Sequence, residues 1–363
     1  MNALLRKFPL LCALTCTAAA STLAAASTTP SAAPQSTIDP EEARDLFRKD
    51  KSVFFVAAEF LYWTVNEGRL DYALKMDRPA WSSTVASNGI GRYQNADFNW
   101  SPGVRVTAGY FRAPHYWDMF AEYTYFSTQG RNSSHAPEKE GEFLNGTFSQ
   151  PDPITTPAIA LDKARSQIEF SYQNLNFLMS RRFHPNPHLR LNIFGGLTSA
   201  LLFQKWKVHY EDVLDQHSKL RNMWKFEGVG LRLGGKVDWY MGWDIYLTGV
   251  ASTGILSGWY ENSSFQLTNA VIPGVNNARP MRDTHYHDKR LVYTSQFMAG
   301  PSWQKAFETV RVEALVGYEM TIWANIHEIY RTSLSGPTAA KETFVNDSNI
   351  SLQGFTFRVN VDF

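Results

Sequence analysis

The chain has 363 residues, with 35 Lys and Arg against 34 Asp and Glu, a net charge of +1, and 14% aromatic side chains. A balance this close to neutral, without a basic stripe, argues against a nucleic-acid partner. Mean hydropathy is slightly negative, and beyond the N-terminal region no stretch approaches the ~18 uncharged apolar residues of a transmembrane helix.

Arg6 and Lys7 precede an apolar run from Phe8 to Ala20 and a small-residue stretch ending Leu23-Ala24-Ala25-Ala26. That order is a secretory signal peptide over residues 1–26, and its apolar run is too short to span a bilayer. Cys12 and Cys16, the two cysteines, lie inside it, so the exported part is expected to hold together without disulfides. Residues 27–51 read as a periplasmic linker in which Asp39-Pro40-Glu41-Glu42 starts a short helix over 41–48. Residues 52–363 form the body.

The body reads as strands. Val56, Ala58, Phe60 and Tyr62 share one face, and Leu70, Tyr72, Leu74 and Met76 resume the same phase past Asn66-Glu67-Gly68, which predicts one long strand. Residues 77–98 read as loop. Val104, Val106, Ala108 and Tyr110 alternate with polar or small residues, and after Ala113-Pro114-His115 the pattern returns in Trp117, Met119, Ala121, Tyr123 and Tyr125, a hairpin. Ile168, Phe170 and Tyr172 point one way but Leu175, Phe177 and Met179 the other, which predicts a bulge near Asn174. Leu189, Leu191, Ile193 and Leu197 follow the break at His184-Pro185-Asn186-Pro187. Val229 to Trp239 then turn at Tyr240-Met241-Gly242 into Trp243, Ile245 and Leu247. Leu291, Tyr293, Phe297 and Trp303 turn at Phe307-Glu308-Thr309 into Val310 to Ile322.

Connections alternate between short (near 113, 184, 241 and 308) and long (77–98, 128–163, 210–221, 260–287 and 324–348). Short periplasmic turns and long external loops are the pattern of an all-β, up-and-down antiparallel transmembrane β-barrel of the bacterial outer membrane. The count is ten strands, rising to as many as 16 if the long loops hide more.

This phasing turns Arg105, Asp118, Glu122, Arg190, Arg232, Lys236, Asp238, Asp244, Arg311, Glu313, Glu319, Arg358 and Asp362 toward the lumen. On the lipid face an Arg or Lys at midplane would cost about 2–4 kcal/mol. With both signs in similar number, a pore lined by them would select ions weakly, and the charges could equally pair across the interior and plug it. The closing stretch Phe355, Phe357, Val359, Val361 and Phe363 alternates with Thr356, Arg358, Asn360 and Asp362. An amphipathic last strand ending on Phe is similar to the signal read by the outer-membrane barrel assembly machinery.

Several short pieces carry a likeness: Glu59-Phe60-Leu61-Tyr62-Trp63, Phe98-Asn99-Trp100-Ser101-Pro102-Gly103, Trp117-Asp118, Asn192-Ile193-Phe194-Gly195-Gly196-Leu197, Glu227 through Gly234, Gly258-Trp259-Tyr260 and Leu352-Gln353-Gly354-Phe355. Through them the chain resembles the chlamydial and Legionella-type family of major outer-membrane proteins, described as pore-forming. The resemblance implies an outer-membrane, porin-like barrel. Unlike the cysteine-rich chlamydial members, this chain has no cysteine beyond residue 16.

The functional expectation is therefore passive diffusion of small hydrophilic solutes or ions through a mixed-charge lumen. The alternative is an adhesin or structural barrel acting through its long external loops. A less favoured reading is an outer-membrane hydrolase, against which stands the lack of a glycine-flanked nucleophile motif. No catalytic residue, metal or cofactor is assigned. His285-Tyr286-His287-Asp288 has the spacing to put two imidazoles on one strand face, but a metal site needs further ligands. The partners expected are outer-membrane lipids and lipopolysaccharide together with the assembly machinery, with a homo-oligomer left open.

Overall fold

A computed structural model describes residues 52–76, 91–112, 117–136, 138, 143–148, 161–213, 216–268, 279–307, 309–332 and 342–363. The expected signal peptide, the linker with its helix and the Ala113-Pro114-His115 link lie outside these residues. The strands are β1 (Val53–Glu67), β2 (Asp71–Met76), β3 (Gly91–Asn95), β4 (Ser101–Arg112), β5 (Trp117–His135), β6 (Phe143–Gly146), β7 (Leu161–Asn186), β8 (Leu189–Asp212), β9 (His217–Gly242), β10 (Ile245–Thr268), β11 (Arg279–Ala306), β12 (Arg311–Thr332) and β13 (Glu342–Asp362).

Ten of them form a closed antiparallel ring in the order β1-β4-β5-β7-β8-β9-β10-β11-β12-β13, with β13 returning to β1. Over the membrane span closure leaves no unpaired edge among the described residues, which a bilayer demands because lipid offers no hydrogen-bond partner. At the seam Phe54 and Phe363 exchange backbone hydrogen bonds of 3.0 and 2.8 Å. That seam lies at the same end as the short β7–β8 and β9–β10 turns, so this end is the periplasmic one.

An outward apolar band marks the membrane. On β1 it is Phe54, Val56, Phe60 and Tyr62, and on β13 Phe355, Phe357, Val359 and Phe363, all exposed on the barrel surface. Nine residues from Phe54 to Tyr62 match the ~9–11 that a tilted strand needs to cross. Its outer edge is an aromatic girdle in which Tyr62 stacks on Trp100, Trp100 on Phe355, and Tyr318 meets Phe355 edge-on.

Strands β7 to β13 are 21 to 28 residues long, so they continue well beyond the bilayer, and the hydrophobic pattern inverts as they leave it. Phe177 and Met179 are exposed to lipid, whereas Ile168, Phe170 and Tyr172 on the same strand are buried inside. Pairing of β7 with β5 and β8 runs through Asn174 without a shift, so the expected bulge is absent. The change of phase is the change of solvent: in the membrane the apolar face looks out, and above it the apolar face looks in.

The same inversion corrects other expectations. The segments read as long loops at 128–163, 210–221, 260–287 and 324–348 all carry strand at both ends, where neighbouring ring strands extend into them: β8 and β9 are joined by only residues 213–216. Residues 70–76 do not prolong β1. The chain turns at Gly68-Arg69, where Arg69 has φ 65°, and β2 pairs with β3 and β6 in a small sheet attached to β7. The β9–β10 turn sits two residues later than expected, at Trp243-Asp244, both with positive φ.

Candidate functional site

Inside the inner half of the barrel lies a chamber of about 160 Å³. Ten of the expected lumen groups line it: Arg105, Asp118, Glu122, Arg190, Arg232, Lys236, Asp238, Arg311, Glu313 and Arg358. Asp362 joins them, and Glu319 is fully buried beside Arg105. Asp244 is the exception, because it occupies the β9–β10 turn rather than a lumen-facing strand position. Glu59 and Arg182 also line the chamber without having been expected there. Glu59 is hidden in sequence because its face of β1 is otherwise apolar, with Phe55, Leu61 and Trp63, all buried.

With Glu319 included, seven cations (Arg105, Arg182, Arg190, Arg232, Lys236, Arg311, Arg358) face seven carboxylates (Glu59, Asp118, Glu122, Asp238, Glu313, Glu319, Asp362). Register makes several of the pairs. Glu59 stands opposite Arg105 on β4 and opposite Arg358 on β13. Arg105 donates to Glu59 at 2.7 Å, to both oxygens of Glu319 at 3.1 and 2.7 Å, and to Thr124 at 2.9 Å. Other pairs reach across the lumen: Lys236 to Glu313 at 2.9 Å and Arg232 to Glu122 at 3.9 Å, each joining strands three places apart in the ring. Arg182 binds Asp118 at 2.9 Å.

Directly outward of Arg105 the polar interior ends. Its guanidinium lies 5.4 Å from the Trp63 ring centroid, and the Trp63 indole donates to Thr356, which donates to Glu319. Beyond is an apolar core that includes the fully buried Trp63, Phe126, Phe170, Trp224, Phe226 and Trp323. Tyr172 and Trp323 meet edge-to-face with ring centroids 5.8 Å apart. Strands β7 and β12, which carry them, are five places apart in a ring of ten. The contact therefore spans the full width of the lumen, reinforced by Trp63 against Phe126 at 5.7 Å and Phe170 against Trp224 at 6.4 Å.

A polar pocket interrupts this core above the membrane, five residues beyond the Tyr62 girdle. His327 accepts from or donates to the Tyr260 hydroxyl through Nδ1 at 2.9 Å, and its Nε2 lies 3.5 Å from Glu67. Arg290 covers the Tyr260 ring at 3.7 Å. Burial raises the Glu67 carboxyl from 4.5 to about 8. Burial, with help from Arg290, lowers His327 from 6.5 to about 3. At pH 7 the two meet as neutral acid and neutral imidazole rather than as an ion pair.

The consequence for stability follows by linkage. Glu67 contributes fully below pH 4.5 and loses its contribution as pH rises through 8. His327 contributes fully above pH 6.5 and loses its contribution as pH falls toward 3. The two trends cancel between, so the thermal transition of the folded barrel is expected to be flat from pH 4.5 to 6.5 and to fall on either side. Glu67→Gln should abolish the alkaline fall in a pH series of heat-modifiability. An unchanged alkaline limb would place its origin elsewhere.

His285 and His287 are exposed on the outer face of β11, while Asp288 turns the other way to bind Arg290 at 2.7 Å. Asp283 lies 3.4 Å from His285, but the group of three mutually close ligand-type side chains among the described residues is elsewhere, at His209, Glu211 and His217.

Comparison with known proteins settles the lineage. The profile described as Legionella pneumophila major outer membrane protein precursor matches residues 49–363. The chain belongs to that family. The match covers the barrel body from before β1 to the last residue and locates this family member in the outer membrane. No curated protein matches it in sequence. Solved structures similar to it are outer-membrane proteins. The Escherichia coli outer membrane protease OmpT is 12% identical, covering 87% of this chain and 97% of its own, with a TM-score of 0.39. The Pseudomonas putida toluene transporter TodX is 7% identical over 86% and 90%, with a TM-score of 0.26. A Pseudomonas aeruginosa FadL homologue is 6% identical over 86% and 90%, with a TM-score of 0.22.

Proposed function

We propose that this family member works as a closed-lumen barrel: a structural element of the outer membrane that carries its long strands and their connections outside the cell. The contact of Tyr172 with Trp323 across the full lumen carries this reading. A solute leaving the charged chamber meets packed aromatic side chains instead of water. Desolvating it there costs several kcal/mol for each unpaired polar group. The reading is non-enzymatic, since the lumen carboxylates Glu59, Asp118, Glu313 and Glu319 are engaged with Arg105, Arg182 and Lys236.

A second reading rests on a separate observation. The mixed-charge chamber resembles one half of a porin lumen, and a packed apolar constriction is one way in which channels gate. On that reading small hydrophilic solutes pass when the aromatic layer yields. Single-channel recording of the refolded mature chain in a planar bilayer separates the two. Silence from a heat-modifiable, folded barrel supports the closed form, and steady conductance steps would establish the porin.

The outer face also favours lipopolysaccharide as a partner. Above the apolar band, register aligns Arg131, Gln167, Lys207 and Arg221 in one row, with Arg165, His209 and Lys219 in the next. Five Lys and Arg on neighbouring strands present fork-like and point charges suited to glycolipid phosphates. Reversing Lys207 and Arg221 to Glu is expected to deplete lipopolysaccharide from the purified barrel, and unchanged co-purification would count against this partner.

A further inference from the structure

We propose that His209, Glu211 and His217 form a three-ligand site for a zinc-class divalent ion at the extracellular tip of the β8–β9 hairpin. Nothing in the lumen is involved, and the site is independent of whether the barrel conducts.

The geometry starts from register. His209 and Glu211 are two residues apart on β8 and therefore project from the same face. His217 opens β9 directly opposite Glu211, one step diagonally from His209. Cross-strand neighbours bring side chains to about 5 Å at Cβ, and here one ligand atom from each of the three residues lies within 4.8 Å of the others. The two imidazole rings stack with centroids 5.2 Å apart and planes 28° from parallel. Zinc held at about 2.0–2.2 Å by nitrogen and oxygen needs these atoms to close by roughly an ångström, which side-chain rotation at a hairpin tip supplies.

A second observation points to a ligand. The Nδ1 atoms of both His209 and His217 are shielded from solvent and have no hydrogen-bond partner. Buried polar atoms are ordinarily satisfied, and two unsatisfied imidazole nitrogens beside a carboxylate make the donor set that Zn²⁺ favours, two nitrogens and an oxygen, with water completing a tetrahedron. Magnesium or calcium would instead require an oxygen-rich set. Lys219 opposite His209 and Lys163 opposite Glu211 place positive charge nearby, so the affinity expected is about micromolar rather than that of a closed four-ligand structural site.

The test uses the refolded full chain in detergent. Zn²⁺ is titrated against a chromophoric chelator, and Co²⁺ replaces it to report coordination by its visible absorption. One equivalent of Zn²⁺ is expected to bind, with a Co²⁺ spectrum of tetrahedral intensity. His209→Ala and His217→Ala should each weaken binding more than about tenfold, while a His285→Ala, His287→Ala variant binds as the native chain does. Retention of the heat-modifiable folded band qualifies each variant. No uptake at tens of micromolar, or binding that survives removal of both His209 and His217, would overturn the site.

Discussion

Replacing Tyr172 and Trp323 together by alanine is expected to turn a silent barrel into a conducting one. These two rings make the contact that bridges opposite walls, and both are buried. Their removal deletes the common contact of β7 and β12, and the space freed lies next to Trp63 and the charged chamber inward of it. Water entering such a gap finds Glu319, Arg105 and Gln296 as partners, which makes a wet path stable where an apolar void would stay dry. Each truncation costs about 3–5 kcal/mol of core packing. The ring closure and the ion pairs of the inner half are untouched, so a folded, heat-modifiable product is expected. Conductance steps from the double variant, with silence from the native chain, would identify the aromatic layer as the closure. Silence from both would mean that the remaining core, Trp224 and Phe170 included, seals the barrel alone.

The inversion of pattern along each strand explains what was and was not legible. The membrane half was readable because lipid imposes a strict alternation: Val229, Leu231 and Leu233 face out while Arg232 and Lys236 face in. The same rule misleads above the bilayer. There Leu220, Trp224 and Phe226 take the opposite face, so a reader tracking one phase sees the strand end and a loop begin. The ring count holds because the extensions lengthen existing strands, and the extra strands β2, β3 and β6 are not members of the ring. Asp244 was misplaced for a local reason. A two-residue turn with positive φ at both positions favours Asn-Gly or Asp-Gly, and Trp243-Asp244 does not announce one, whereas Gly242 beside it does. His209, Glu211 and His217 meet only through hairpin register, which cannot be seen while the segment between them is taken for a loop.

Arg105→Met is expected to be the most damaging single substitution in the chamber. Arg105 is 5% exposed and sits between Glu59 and Glu319, themselves 4% and 0% exposed. The guanidinium donates to both carboxylates and to Thr124. Methionine has similar length and would fill the space, so the loss reads the charge rather than a cavity. Two carboxylates would then be left buried with one cation, Arg358, 3.6 Å from Glu59. Breaking such a buried group by removing one partner costs about 3–5 kcal/mol, because the stranded charge keeps its desolvation penalty. Urea unfolding of the refolded barrel in detergent should show that loss. Restoring neutrality with Glu319→Gln in the Arg105→Met background should recover part of it, since the glutamine carbonyl can still accept from Gln296 and its amide can donate to the Thr356 hydroxyl. A loss below about 1 kcal/mol would mean that water in the chamber screens these charges. In that case the wall between chamber and aromatic core is wetter than its burial implies, and the porin reading gains at the expense of the closed barrel.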